Sequence, residues 1–128
     1  MAQVSVEEIT VPKSIRSLAH TQKPQKEFEL WQSKVPNGSA LWLLDERGKQ
    51  FNSLAFAKEI EGAFVRGRSS ITMVVGGAFG HSEQAKKQAD VLVSFSQMTL
   101  NHDLIRVVLL EQLYRGLSII KGLPYHNE

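Results

Sequence analysis

The sequence predicts an α/β domain in which a mostly parallel sheet is flanked by helices. Two patterns carry that reading. Three short apolar runs, at residues 40–44, 71–75 and 91–95, have the length of strands and are bounded by turn-forming residues. The segments between them repeat their apolar residues at helical spacing, and strands alternating with helices imply a parallel sheet. At 128 residues the chain fits a single domain, taken as 1–128.

Taken in order, Val4, Val6 and Ile9 alternate with polar residues and predict a short first strand. Residues 12–22 are basic and polar and suit a surface loop or a short helix. Pro24 fits a first helical turn, and Phe28, Leu30, Trp31 and Val35 give that helix an apolar stripe. Pro36-Asn-Gly38 stops it. The run 40–44 is a buried strand ending at Asp45, with Gly48 marking a turn. Asn52 or Ser53 caps a helix running to about Val65. The run 71–75 is closed by Gly76-Gly77-Ala-Phe-Gly80, and Ser82 caps a short helix carrying Glu83, Lys86 and Lys87. After the run 91–95, a long helix over 103–120 ends near Gly122.

That last helix is apolar nearly all round. Leu104, Ile105, Val107, Val108, Leu109, Leu110, Leu113, Leu117, Ile119 and Ile120 do not fit one stripe, so the helix is enclosed on several sides. In a small domain this points to a subunit interface as well as a sheet, and a homodimer is expected. The alternative is a central helix of a monomer.

Composition excludes several classes. A hydrophobic content of 42% with 22% charge is that of a globular chain rather than a disordered one. The net charge of +2 permits a nucleic-acid partner without demanding one. The absence of cysteine excludes disulfides, thiolate metal sites and thiol nucleophiles. No metal is expected, because no His/Asp/Glu ligand spacing recurs. No membrane partner is expected either, since there is no signal-like leader and no apolar run of spanning length. A cytoplasmic location follows as the expectation.

In parallel sheets ligands bind beyond the carboxyl ends of the strands. The segments after Leu44, Val75 and Phe95 are therefore where a site is sought. The glycine-rich turn at 76–80 offers close backbone approach, but it lacks the Gly-Lys-Ser/Thr of a phosphate-binding loop. Glu111 and Arg115, four apart on the last helix, read either as a structural ion pair or as an anion-binding group. Arg106 points roughly opposite and suits an interface. His102 sits at the mouth of the helix, and Tyr125 and His126 lie in a tail of the kind that usually frays.

Several motifs act together: Leu43-Leu-Asp-Glu-Arg-Gly-Lys49, Val75-Gly-Gly-Ala-Phe-Gly80, Ser94-Phe-Ser-Gln-Met-Thr99, His102-x-x-x-Arg106, Leu110-Glu-Gln-Leu-Tyr-Arg115 and Gly122-Leu-Pro-Tyr-His126. In order and spacing they resemble the RlmH-type ribosomal RNA methyltransferases of the SPOUT, or α/β-knot, class. The resemblance implies a C-terminal trefoil knot, a homodimer, and S-adenosylmethionine as cofactor. It also implies methyl transfer to N3 of a pseudouridine in a 23S rRNA stem-loop, on assembled ribosomes. Carried over by position, the cofactor pocket falls on Leu44, Gly76, Gly77, Phe95, Ser96, Gln97, Met98, Thr99 and Leu100. Arg115, Tyr125 and His126 fall on positions implicated in catalysis or substrate handling, with His102 a further candidate. Lys13, Arg16, Lys23 and Arg47 are candidate RNA contacts.

The chain departs from the family pattern in being shortened at its N-terminus by roughly one strand and helix. Asn101 stands where proline is common, Asp103 where proline or glutamine is usual, and Gly116 where alanine is typical. Two other readings stay open: a knot protein that binds cofactor or ribosome without catalysis, and a methyltransferase for a different RNA base.

Overall fold

The sheet is built on one long central strand. In a computed structural model, which describes residues 3–127, the elements run as follows. Helix α1 is Lys13–Arg16 and α2 is Lys23–Trp31, continued by a 3-10 turn at Gln32–Lys34. Strand β1 is Ser39–Gln50, α3 is Ser53–Val65, β2 is Ser70–Val75 and α4 is Glu83–Gln88. Strand β3, Val91–Ser94, leads into α5, His102–Lys121. The strands are ordered β2-β1-β3 and both pairings are parallel.

Because side chains alternate across a strand, the apolar run in β1 serves two cores at once. Ala40, Trp42 and Leu44 face α3 and α5, where they pack with Phe56, Ile60, Ala63, Val93 and Leu109. Leu41 and Leu43 face the other way, against Phe28, Trp31 and Ala85 of α2 and α4. Each such buried side chain contributes roughly 1.5–3 kcal/mol, which is why this run anchors the layers. Local signals set the helix ends as expected. The side chains of Asn52, Ser82 and Asn101 accept backbone N–H groups of Ala55, Ala85 and Asp103 at 2.8, 3.1 and 2.8 Å. Asn101 therefore supplies a cap bond that proline at that position lacks. Gly122 ends α5 at a left-handed φ of 74°.

Two expectations are corrected. Val4, Val6 and Ile9 form no strand; they are extended coil, because alternation alone supplies no partner ladder. Gly48 is not a simple turn but lies within β1. The pairing with β3 shifts there, so that both Leu44 and Lys49 align with Val93. A Cβ on Gly48 would stand 2.6 Å from the Leu92 carbonyl carbon and oxygen. The glycine is required by close backbone approach.

The long helix is enclosed on one side only within the chain. Its inner face packs on α3, where Gly116 abuts Ala57 and Ile60. Leu104, Val107, Leu110 and Tyr114 stay exposed along one outer stripe. No helix among the described residues is long and apolar enough to cross a membrane.

Candidate active site

The parallel register brings the ends of β2 and β3 to either side of Leu44, midway along β1. Leu44 aligns with Val75 on one side and with Val93 on the other. The Gly76-Gly77 turn and the segment beginning at Phe95 therefore leave the sheet on either side of Leu44. Phe95 packs edge-on against Phe56, with ring centroids 6.1 Å apart. Ser94 Oγ bonds both the Ser96 carbonyl at 2.8 Å and the Glu46 carbonyl at 3.1 Å. Ser96 Oγ accepts Met98 N–H at 3.0 Å, and Thr99 Oγ1 donates to Glu46 Oε2 at 2.8 Å. These bonds tie the segment 95–100 to the outer part of β1 while Gln97, Met98 and Thr99 remain exposed. Of the residues assigned by sequence to cofactor binding, Leu44 thus lies between the points where Gly76-Gly77 and the segment from Phe95 leave the sheet.

A second cluster forms at the far end of α5. The tail after Gly122 folds back so that Tyr125 and His126 meet Glu111 and Arg115. Arg115 donates to Glu111 Oε1 from Nε at 3.0 Å and from Nη2 at 2.6 Å, and its Nη1 lies 3.0 Å from His126 Nδ1. Tyr125 donates its hydroxyl to the same Glu111 oxygen at 3.2 Å, and the Arg115 guanidinium lies 4.8 Å from the centre of the Tyr125 ring. Tyr114 meets Tyr125 edge-on at 4.6 Å. The hydrogen bonds from Arg115 hold the Glu111 carboxyl below its ordinary value, and Glu111 in turn raises Arg115. Since a guanidinium only donates, His126 Nδ1 is the acceptor in that contact.

The two regions are linked through Gln112. Its amide donates to Glu111 Oε2 at 2.8 Å and accepts from Ser53 Oγ at 2.8 Å. Ser53 and Gln112 line a cleft of about 330 Å³ together with Phe51, Phe56 and Phe95. His102 does not join the cluster within its own chain. It lies thirteen residues before Arg115 on one helix, about 20 Å along the axis, with Asp103 as its charged neighbour at 4.0 Å.

Two side chains unmarked by sequence sit behind the glycine turn. His81 is buried, with Nε2 3.1 Å from the Leu44 carbonyl oxygen. Burial lowers its pKa, opposed by Asp45 and by the Leu44 carbonyl. Glu27 of α2 reaches Gly77, and burial raises its pKa against the Gly77 backbone bond and Lys23. Asp45 pairs with Lys86 at 3.6 Å nearby. Among the described residues no three His, Asp or Glu side chains are grouped to hold a metal ion.

The family described as Predicted SPOUT methyltransferase matches residues 1–126. The chain belongs to the SPOUT methyltransferase family. Three relatives named Ribosomal RNA large subunit methyltransferase H illustrate the similarity. That of Flavobacterium psychrophilum is 40% identical over 116 residues, covering 91% of this chain and 74% of the relative. That of Halothermothrix orenii is 39% identical over 124 residues, 97% and 78% of the two chains. That of Streptococcus gordonii is 44% identical over 116 residues, 91% and 73% of the two. For a SPOUT methyltransferase the rim at Leu44, Gly76 and Phe95 is the region where a methyl donor is sought, and the residues there suit one. Gly77 and residues 97–99 are exposed along that edge, and Phe95 gives it an apolar side.

Proposed function

We propose that this chain is an S-adenosylmethionine-dependent methyltransferase that modifies N3 of a pseudouridine in a stem-loop of large-subunit ribosomal RNA. The observation that carries the proposal is the folded-back tail, which sets Tyr125 and His126 on the Glu111–Arg115 pair at one end of α5. Through Arg115–His126 and Tyr125–Glu111 contacts the two tail residues join the helix pair in one connected polar cluster. The names of the relatives give the reaction class and the substrate.

The cofactor is held by Leu44, Gly76, Gly77 and residues 95–100. When bound, S-adenosylmethionine supplies a sulfonium methyl group to an attacking nitrogen. The protein's task is to align that nitrogen and to favour loss of its proton. Alignment alone is worth roughly 7–11 kcal/mol, so no covalent intermediate is needed. Arg115 uses three of its five N–H groups in the bonds above, leaving two for the anion that forms on the base. Glu111, held ionised by Arg115, is a poor store for a proton and serves to orient Arg115 and Tyr125. The N3 proton leaves toward Tyr125 or His126. His126 takes it at Nδ1 once Arg115 Nη1 turns from that nitrogen to the forming anion. Tyr125 instead relays it, accepting at its hydroxyl oxygen while its own proton passes by way of Glu111 to solvent. Separate pH–rate profiles on substitution assign the route. His102 is placed outside this cluster.

The working unit is a homodimer. Leu104, Val107, Leu110 and Tyr114 form an apolar stripe that a second copy covers, close to the tail. We include in the same proposal a threaded, knotted C-terminal segment, action on assembled ribosomes in the cytoplasm, and RNA contacts at Lys13, Arg16, Lys23 and Arg47. Of these four, Lys13, Arg16 and Arg47 are exposed.

The deciding experiment incubates the protein with labelled S-adenosylmethionine and 70S particles from cells lacking the modification, then maps nucleosides by mass. Label at N3 of one pseudouridine is the expected result. Cofactor binding without label would leave a binding-only protein, and label on another base would change the substrate.

A further inference from the structure

The turn assigned to the cofactor consists of two consecutive glycines, each backed by a side chain that the proposed chemistry does not use. Against Gly76 lies the His81 imidazole. A Cβ at Gly76 would stand 3.0 Å from Cε1, 3.1 Å from Nε2 and 3.3 Å from Nδ1 of that ring. Against Gly77 lies the Glu27 carboxylate, 2.7 Å from where a Cβ would be. The same His81 ring bonds the carbonyl of Leu44, the β1 residue that pairs with the last residue of β2. A carbonyl only accepts, so Nε2 carries the proton in that bond. His81 also meets Trp31 of α2 edge-on at 6.5 Å. Ser82, its neighbour, caps α4. One buried ring therefore touches the middle of β1, the turn after β2, α2 and the entry to α4.

We infer that His81 is a positioning residue for the cofactor rim, locking the Gly76-Gly77 backbone to the Leu44 carbonyl at the spacing the methyl donor needs, with Glu27 bracing Gly77 from α2. The inference rests on the reading of this rim as the S-adenosylmethionine site. A glycine pair is the softest stretch of backbone available, and left alone it would sample many conformations. Packing a ring on one glycine and a carboxylate on the next removes that freedom before the ligand arrives, which lowers the ordering cost of binding. A Cβ at either glycine would press on these groups, on the His81 ring at 3.0 Å and on the Glu27 tip at 2.7 Å.

The experiment compares His81→Phe, which keeps an aromatic ring without a donor, with His81→Gln, whose side-chain amide can donate from near the Nε2 position. Three quantities are read on the full-length protein. They are the dissociation constant for S-adenosylmethionine by calorimetry, amide hydrogen exchange of residues 76–80 without cofactor, and KM for cofactor against kcat. The expected result for His81→Phe is cofactor affinity weakened about tenfold, faster exchange confined to 76–80, and KM raised with kcat held within about twofold. His81→Gln restores most of the affinity and the exchange protection. Equal affinity and equal exchange in wild type and His81→Phe, or Gln behaving no better than Phe, overturns the inference while leaving the cofactor site standing. A wild-type protein that binds no S-adenosylmethionine overturns both. Should His81→Phe fail to fold, Glu27→Ala decides: faster exchange at Gly77 with weakened binding supports the brace, and unchanged values reject it.

Discussion

Arg115 and Tyr125, ten residues apart and in different elements, bond the same oxygen of Glu111, at 2.6 Å and 3.2 Å. That shared acceptor makes the orientation of the tail depend on a helix residue that itself touches no substrate in the proposed reaction. Glu111→Gln keeps the size of the side chain but replaces one oxygen with a donor and removes the charge that Arg115 and Tyr125 both require. The expected outcome is a fall in kcat of roughly ten- to a hundredfold, the worth of a charge-assisted hydrogen bond. Melting temperature and oligomeric state should change little, because the pair is at the surface. Single-turnover methylation of ribosomes checks the first, and light scattering the second.

The same contact has a predictable pH response. The hydrogen bond from Arg115 holds the Glu111 carboxyl below the ordinary carboxylate range in the folded chain. A depressed folded value means that the contribution is complete above the ordinary carboxylate range and is lost as pH falls through the depressed value. Docking of the tail should therefore be flat across neutral pH and release only in acid, below the usual carboxylate range. Amide exchange at Tyr125 followed against pH reads this directly. Release beginning near neutrality would show that Glu111 is not the anchor.

Local chemistry was legible in the sequence, and distant approach was not. Asn52, Ser82 and Gly122 announce helix ends through residues beside them, so each was placed correctly. The three apolar runs announce strands for the same reason, and the long apolar helix announced a face larger than one stripe. Gly48 was misread because its constraint is the Leu92 backbone, forty-four positions away, and a glycine forced by close approach looks like one at a turn. Val4 and Val6 carry the alternation of a strand, but a ladder needs a neighbour that alternation does not reveal. The motif residues of the rim and tail were found by resemblance, whereas Glu27 and His81 act through contacts that no spacing rule encodes.

Gly48 supplies a test of that close approach. An added Cβ meets backbone atoms, at 2.6 Å from Leu92 and 2.9 Å from Val93 N, which cannot swing aside as a side-chain tip can. Gly48→Ala should cost about 1–3 kcal/mol, the usual range for overpacking, by pushing β3 away from β1. Urea unfolding measures it. Because β3 leads into residues 95–100, cofactor affinity should fall in parallel. A stability within about 0.5 kcal/mol of wild type, the span of an ordinary surface change, would mean that the register shift at this point relaxes freely.

The outer stripe of α5 separates the fold of the chain from its assembly. Val107 is 64% exposed in the single chain, so a charge there meets water and leaves the core untouched. In a homodimer joined along this stripe, the same charge is buried without a partner, at a cost of several kcal/mol. Val107→Glu should therefore keep the melting behaviour of a folded α/β chain but sediment as a monomer. If the proposed active site needs the second copy beside the tail, methyl transfer should fall with the dimer fraction and recover at high protein concentration. A Val107→Glu protein that remains dimeric would move the interface off α5, since no packed apolar stripe accepts an unpaired carboxylate at its centre.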